Sequence, residues 1–471
     1  MSKRYYKIKY FLSDLCASAI AWAIFFIYRK IYVEPHYFGY EIPVSFNSKF
    51  FMGIIFVSAF WVILFYLAGY YRNVLNKSRL LELWNTFLSI SVGSIIIFFA
   101  LILDDYVSDY KYYYFSFLVL FSLQFFLTYI PRVIFTTITI GKIRHRKIKF
   151  KTLIVGTCNE ILRVFKGFEF ERYSSGYEFI GYIKISEGDS SELDKNLKDL
   201  GSLMDVREII QNNKVEHVIL AISPDLDKEI KKAVSLLQGT QAEIKIIPEM
   251  YNNLKGSLNI APITGIPLVR ISHELLPAWQ ENMKRIIDIS ASVFALIVFF
   301  PVFLVLSIII KLTSKGPIFY THERIGKFGR PFMIYKFRSM YTDAEKHGPA
   351  LAKDNDSRIT PIGRIIRKTR LDEIPQFYNV LRGEMSLVGP RPERQFFIDQ
   401  IVKKAPEYYH LQKVRPGITS WGQVKYGYAE NVDEMVERLK FDLIYIEDMS
   451  LYVDFKILIH TVLIVFKAVG K

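Results

Sequence analysis

Cysteine is scarce in this chain and the glycine fingerprint of a dinucleotide site is missing. Cys16 and Cys158 are its two cysteines, far apart, and Cys16 lies inside an apolar run. That usage supports neither a disulfide framework nor a zinc site. Acidic residues are in deficit, 46 against 61 Lys and Arg, which gives a formal charge of +15. The middles of four N-terminal apolar runs carry no charge, which argues for an anchor there and against transport. No small-residue cleavage pattern follows the first run, so no cleavable signal is expected. What is abundant is grease: 51% of the 471 residues are hydrophobic and 15% aromatic. Such a length predicts two or three units, and such a composition predicts a membrane protein.

The apolar runs lie at roughly 11–31, 50–70, 84–103 and 113–135. Each approaches the roughly 20 residues that cross a bilayer, so residues 1–140 are expected to form a four-helix transmembrane bundle. Basic residues cluster at the N-terminus (Lys3, Arg4, Lys7, Lys9), in the loop 71–80 (Arg72, Lys77, Arg79) and after the fourth run (Lys142, Arg144, Arg146, Lys147). Asp104, Asp105 and Asp109 occupy the loop 104–110. The excess of Lys and Arg then places both ends of the bundle in the cytoplasm. The charge follows membrane boundaries and no groove-reading helix accompanies it, so a nucleic-acid partner is not expected.

Residues 141–278 read as a degenerate Rossmann-like α/β domain. Short apolar strands at 151–156, 179–183, 217–222 and 243–248 alternate with helical stretches such as 202–213 and 225–238, the pattern of a parallel sheet. The turn after the first strand is Gly156-Thr157-Cys158-Asn159-Glu160. It lacks the glycines that let a pyrophosphate approach the backbone, so no dinucleotide is expected. A regulatory or dimer-forming role stays open.

From 279 to 471 the sequence predicts a mainly α domain that carries the chemistry and enters the membrane. The run 283–311 is long enough to cross, yet Lys284 and Arg285 precede it and Lys311 and Lys315 follow. Basic flanks on both sides favour the same face. Pro301, inside the run, removes a backbone donor and clashes with the carbonyl of Ile297. A re-entrant helix broken there is expected, with Ser307 or a packed helix covering the bend. The tail 450–468 is apolar but interrupted by Asp454, Lys456 and His460, which predicts a helix lying in the interface. Residues 316–340 concentrate Arg324, Lys327, Arg330, Lys336 and Arg338, a surface suited to anionic phosphate ligands.

The densest chemistry lies at 358–395. Arg364, Arg367 and Arg370, three apart, are expected to form a stripe along a helix. Asp372 and Glu373 follow; as helical neighbours they would diverge by about 100°. That suits two separate jobs, one carboxylate attacking phosphorus and the other holding a divalent metal. A loop with Gly389, Pro390, Arg391 and Pro392 comes next.

Lys-Arg-Ile-Ile-Asp-Ile at 284–289, the segment 316–340, Leu371 to Glu393 and Arg415 to Val424 together resemble the catalytic domain of the bacterial polyprenyl-phosphate hexose-1-phosphate transferases. The four spans and the α/β domain are similar to the large members of that family. The resemblance implies that Asp372 is a nucleophile taking sugar-1-phosphate from a UDP-hexose with release of UMP, and that Glu373 partners it at a Mg²⁺ site. It implies Arg367, Lys336 and Arg338 on phosphates, Arg391 with Pro390 and Pro392 at the nucleotide, and Pro301 at the membrane re-entry. It implies undecaprenyl phosphate as acceptor, a homodimer, and a multi-pass protein of the bacterial inner membrane with its catalytic domain facing the cytoplasm. Two positions depart from the family pattern: Phe300 stands where a serine usually precedes Pro301, and Ser420 where a glycine is frequent. The other readings are a membrane-bound nucleotide-sugar dehydratase or epimerase, which needs the missing glycines, and a non-catalytic scaffold of polysaccharide assembly. The identity of the hexose is open.

Overall fold

A computed structural model describes residues 3–41, 43–72, 74–75, 77–102, 111–169, 174–185, 191–223, 225–247, 268–270, 275–344, 356–427 and 429–466. The acidic loop 104–110 lies outside them. The chain divides into two units, one of residues 1–149 with 173–176 and one of the rest.

Among the described residues of the first unit, four helices are long and apolar enough to cross a membrane. They are α1 (Lys3–Tyr28), α2 (Ser48–Leu67), α3 (Arg79–Ile97) and α4 (Lys111–Arg144). Side-chain caps start two of them: Asn47 Oδ1 accepts from the Phe50 amide and Ser78 Oγ from the Leu81 amide. α4 continues to Arg144, past the expected limit at 140. Their exposed faces carry Ile55, Phe56, Trp84 and Phe115, as a lipid-facing surface requires.

The interior of this bundle is more polar than its sequence suggests. On α4 Ser116, Gln124, Thr128, Arg132 and Thr136 recur at multiples of four and are all buried. Arg132 donates from Nε and NH2 to the two oxygens of Asp14 on α1, at 2.9 and 2.8 Å, and from NH1 to Thr86 on α3 at 3.0 Å. Its guanidinium also lies 4.0 Å from the Tyr70 ring centroid and 4.2 Å from that of Phe65. Glu82, on α3, accepts from Thr136 Oγ1 and from Lys77 Nζ. Asp14 and Arg132 stand toward the ends of their apolar runs. That is why a search of the run middles passes over them.

The second unit begins with a five-stranded sheet built from β1 (Phe150–Gly156), β2 (Tyr177–Lys184), β3 (His217–Ala221), β4 (Glu243–Ile246) and β5 (Val269–Arg270), in the order β2-β1-β3-β4-β5. The first four strands run parallel and β5 antiparallel. Helices α5 (Cys158–Glu169), α6 (Val206–Asn213) and α7 (Asp227–Leu237) cover it. Gly156 is demanded by packing, since a Cβ there would sit 1.7 Å from the Ala221 carbonyl oxygen. Arg207 of α6 stacks on the Tyr409 ring and donates to Gln412 Oε1 at 2.8 Å, which ties the sheet domain to the domain that follows.

Two helices open that domain, α8 (Ala278–Val298) and α9 (Phe300–Thr313), bent by 59°. The break falls at Phe299, two residues before Pro301, which occupies the first turn of α9, where a missing amide costs nothing. Ser307 does not cover the bend: its hydroxyl donates to the Phe303 carbonyl within α9 at 2.7 Å. The elbow exposes Phe294, Ile297, Val298 and Phe300. The rest comprises the hairpin β6 (Phe319–Ile325) and β7 (Pro331–Phe337), α10 (Pro361–Lys368), α11 (Gln376–Arg382), β8 (Ser386–Val388), α12 (Gln395–Lys404), β9 (Gly417–Thr419), α13 (Trp421–Lys425), α14 (Val432–Glu447) and α15 (Leu451–Phe466). β8 and β9 run parallel so closely that a Cβ on Gly417 would lie 2.1 Å from the Gly389 amide nitrogen.

Charged residues at the base of α8 fasten it to this domain. Lys284 Nζ donates to the Val388 carbonyl and to Asp454 of α15. Arg285 donates to the carbonyls of Val380 and Leu381, the C-terminal end of α11. Asp288 Oδ1 accepts from Ser386 Oγ and the Leu387 amide. Asp454 is therefore buried and paired, while Tyr452, Phe455, Ile459 and Leu463 face outward on α15.

Candidate active site

A cavity of about 560 Å³ opens between the hairpin, the acidic turn, the loop 389–394 and α14. Asp372 and Glu373 both line it. They sit on a 3₁₀ turn, Leu371–Glu373, which follows a break in the helix: Arg370 takes a left-handed conformation at φ 57°. The expected stripe therefore ends with α10. Arg367 lines the cavity, Arg364 is exposed and does not, and Arg370 has left the helix axis.

What separates the two carboxylates is partnership. Glu373 Oε1 accepts from Lys336 Nζ at 2.8 Å and lies 3.8 Å from Arg391 NH1. Burial pushes Glu373 up, but Lys336, Arg391 and Arg370 outweigh it and hold its carboxyl below the usual range. No group among the described residues hydrogen-bonds the Asp372 carboxylate. Burial pushes Asp372 up, and the charge of Glu373 adds to that against the opposing pull of Lys336, Arg367 and Arg391. Lys336 and Arg391 thus act on both carboxylates, but only Glu373 is hydrogen-bonded by the lysine. The Arg367 side chain makes no ion pair or hydrogen bond among the described residues and stands on the cavity wall.

The other expected site residues divide by geometry. Arg391 reaches the cavity from its loop, while Pro390 and Pro392 are buried and do not line it. Their carbonyls accept from the Gly417 amide and from Arg324 NH1, so these prolines shape the loop that presents Arg391. Arg338 touches the cavity, yet its NH1 and NH2 donate to the carbonyls of Lys315 and Ser314 and to Ser314 Oγ. It caps the end of α9, which leaves little of the guanidinium for a phosphate. Ser420, one of the two family departures, caps α13 through the Gln423 amide.

The sequence pattern did not single out Tyr320, His322, Glu393, Arg394, Phe397, Met435 or Arg438, all of which line the cavity. Tyr320, His322 and Arg324 alternate along β6 and so share one face. Burial and four surrounding cations hold His322 neutral, its pKa far below the ordinary value. The period-two spacing on β6 was a usable signal, whereas Met435 and Arg438 on α14 reach the cavity only through tertiary packing.

The profile described as bacterial sugar transferase matches residues 279–468. A UDP-glucose:undecaprenyl-phosphate glucose-1-phosphate transferase of Caulobacter vibrioides is 39% identical over 207 residues, 44% of this chain and 78% of that protein. The chain belongs to the bacterial sugar transferase family. Its similarity extends to a UDP-N-acetylgalactosamine-undecaprenyl-phosphate N-acetylgalactosaminephosphotransferase of Aeromonas hydrophila, 45% identical over 223 residues and 47% of each chain. A UDP-glucose:undecaprenyl-phosphate glucose-1-phosphate transferase of Escherichia coli K12 is 34% identical over 265 residues, 56% of this chain and 57% of that protein. The match spans about half the length of these two relatives. A second profile, described as a CoA-binding domain, matches residues 66–248. In the bacterial sugar transferase domain, then, the cavity, the acidic turn and the fastening of α8 all fall inside the matched segment.

Proposed function

We propose that this protein transfers hexose-1-phosphate from a UDP-hexose to undecaprenyl phosphate, with release of UMP, as the first step of a surface polysaccharide. The observation that carries the reading is the contrast at the acidic turn: a desolvated carboxylate, Asp372, with no hydrogen bond among the described residues, beside one locked by a lysine. Desolvation and the lack of a donor among the described residues leave the Asp372 oxygen free to act as nucleophile. It attacks the β-phosphorus, the bond to the α-phosphate oxygen breaks, and UMP leaves with that electron pair. An oxygen of the lipid phosphate then attacks the aspartyl phosphosugar, and the carboxylate departs unchanged.

Lys336, Arg367 and Arg391 supply charge for the phosphate oxygens through both steps. Mg²⁺ fits the donor set, because such an ion takes one or two carboxylates and completes its shell with phosphate oxygens and water. Glu373, with Asp372 beside it, would hold it, and the ion would supply phosphate neutralisation when bound. The bent α8–α9 pair is read as the re-entrant element, its exposed elbow in the lipid and both flanks cytoplasmic. In that reading the cavity lies at headgroup depth, where a lipid phosphate meets a soluble nucleotide. Both ends of the N-terminal bundle then face the cytoplasm of the inner membrane, and the homodimer implied by the family belongs to the same reading.

Mass spectrometry of acid-quenched enzyme after mixing with UDP-sugar tests it: a phosphosugar on the peptide containing Asp372 is expected, and its absence alongside single-displacement kinetics overturns it. A panel of UDP-sugars in a UMP-release assay identifies the hexose.

A further inference from the structure

The cavity has a second pole, away from the acidic turn. Across the hairpin Tyr320 pairs with Lys336, the lysine that binds Glu373. Arg324 lies four residues further along β6, about 13 Å at about 3.3 Å per residue. There the buried Glu393 receives Arg324 NH1 at 2.9 Å and Arg438 NH2 at 2.6 Å. Arg324 is pinned twice more, by Nε on His322 Nε2 at 2.7 Å and by NH1 on the Pro392 carbonyl at 2.9 Å. Among the described residues no hydrogen bond uses Arg324 NH2, nor Nε and NH1 of Arg438. Met435, one turn before Arg438 on α14, lines the cavity with Phe397.

We infer that this pole seats the pyrimidine ring of the donor nucleotide, with Arg324 and Arg438 donating to the ring carbonyl oxygens and Phe397 and Met435 against its faces. The inference rests on the reading of the cavity as a UDP-sugar site. Two features favour a ring here over a phosphate. The guanidiniums of Arg324 and Arg438 are held on one buried carboxylate and so aim fixed donors, whereas Arg367, Arg391 and Arg394 are the cavity cations that remain for phosphates. The separation along β6 also suits the span from the reacting phosphorus of an extended nucleoside diphosphate to its base. Glu393 is then a positioning residue that fixes the direction of both donors before the ligand arrives, which reduces the ordering cost of binding. Burial and the surrounding cations keep His322 neutral, as its acceptor role toward Arg324 requires.

The test uses the full-length protein in nanodiscs and follows sugar-phosphate transfer to labelled lipid. UMP, uridine and inorganic pyrophosphate are added as inhibitors, and uridine binding is also measured directly by calorimetry. Arg438→Gln is expected to weaken uridine and UMP about tenfold, the loss of one hydrogen bond to a charged donor, with pyrophosphate inhibition unchanged within about twofold. Phe397→Ala removes the ring contact without touching the Glu393 cluster and is expected to shift uridine in the same direction. It also keeps the question answerable if Arg438→Gln fails to fold. Weakened pyrophosphate with unchanged uridine identifies a phosphate subsite and overturns the inference, as does unchanged inhibition by all three. A wild-type protein that binds uridine but releases no UMP from any UDP-sugar sinks the functional reading and leaves this pole standing.

Discussion

Replacing Lys336 by methionine isolates the electrostatics of the acidic turn. The ammonium lies 2.8 Å from Glu373 Oε1, and at an effective dielectric of about 20 that contact represents about 6 kcal/mol of attraction. Dehydration of the pair offsets part of this, so the cost of removing one partner from a buried pair is set at about 3–5 kcal/mol. The loss falls on both carboxylates, because Lys336 is also the strongest influence lowering the pKa of Asp372. Asp372 already titrates above the ordinary range, and without the lysine its ionisation moves higher still. In the proposed mechanism only the ionised form attacks, so activity is expected to be lost as pH falls through this pKa. A tenfold change in an ionisation equilibrium corresponds to about 1.4 kcal/mol. Even a third of the lost interaction therefore carries the acid limb of the kcat/KM profile up by about one pH unit. The assay is UMP release against pH for wild type, Lys336→Met and Lys336→Arg. The arginine variant is expected to keep its limb near wild type, and the methionine variant to recover part of its activity in alkali. A methionine variant that is slower by the same factor at every pH would refute this account.

The buried Asp372 is expected to destabilise the fold once ionised. A carboxyl whose folded pKa exceeds its unfolded value contributes stability at low pH and loses it as pH rises through the folded value; Asp372→Asn should therefore raise the unfolding midpoint at neutral pH and change it little in acid. Arg338→Ala should lower thermal stability by about 1–3 kcal/mol, the cost of buried carbonyls left without a donor, with KM for the UDP-sugar unchanged; a large KM effect at unaltered stability would return Arg338 to the phosphates. In the bundle, Arg132→Leu should cost about 3–5 kcal/mol by stranding Asp14, and the Asp14→Leu/Arg132→Leu pair should cost less than Arg132→Leu alone; unfolding in denaturing detergent reads both.

Much of this protein was legible without coordinates, for definite physical reasons. A bilayer needs long apolar helices, so four of them announce themselves by length and hydropathy. A parallel sheet buried on both faces needs short apolar strands, so β1 to β4 could be placed. Asp372 and Glu373 stood out because adjacent carboxylates among cations and Gly-Pro turns are a dense chemical pattern. Tertiary structure alone decided which charges line the cavity and which hold the scaffold. Lys284, Arg285, Arg338 and Asp454 looked like interfacial or phosphate-facing charge, yet they bind backbone carbonyls or each other. Asp14 and Arg132 are 118 positions apart and meet only when α1 and α4 pack. Glu393, Arg324 and Arg438 likewise come from three separate elements. The reason is common to all of them: hydropathy and local pattern act over a few residues, whereas the partner that turns a charge into a cap or a clamp is supplied by another part of the chain.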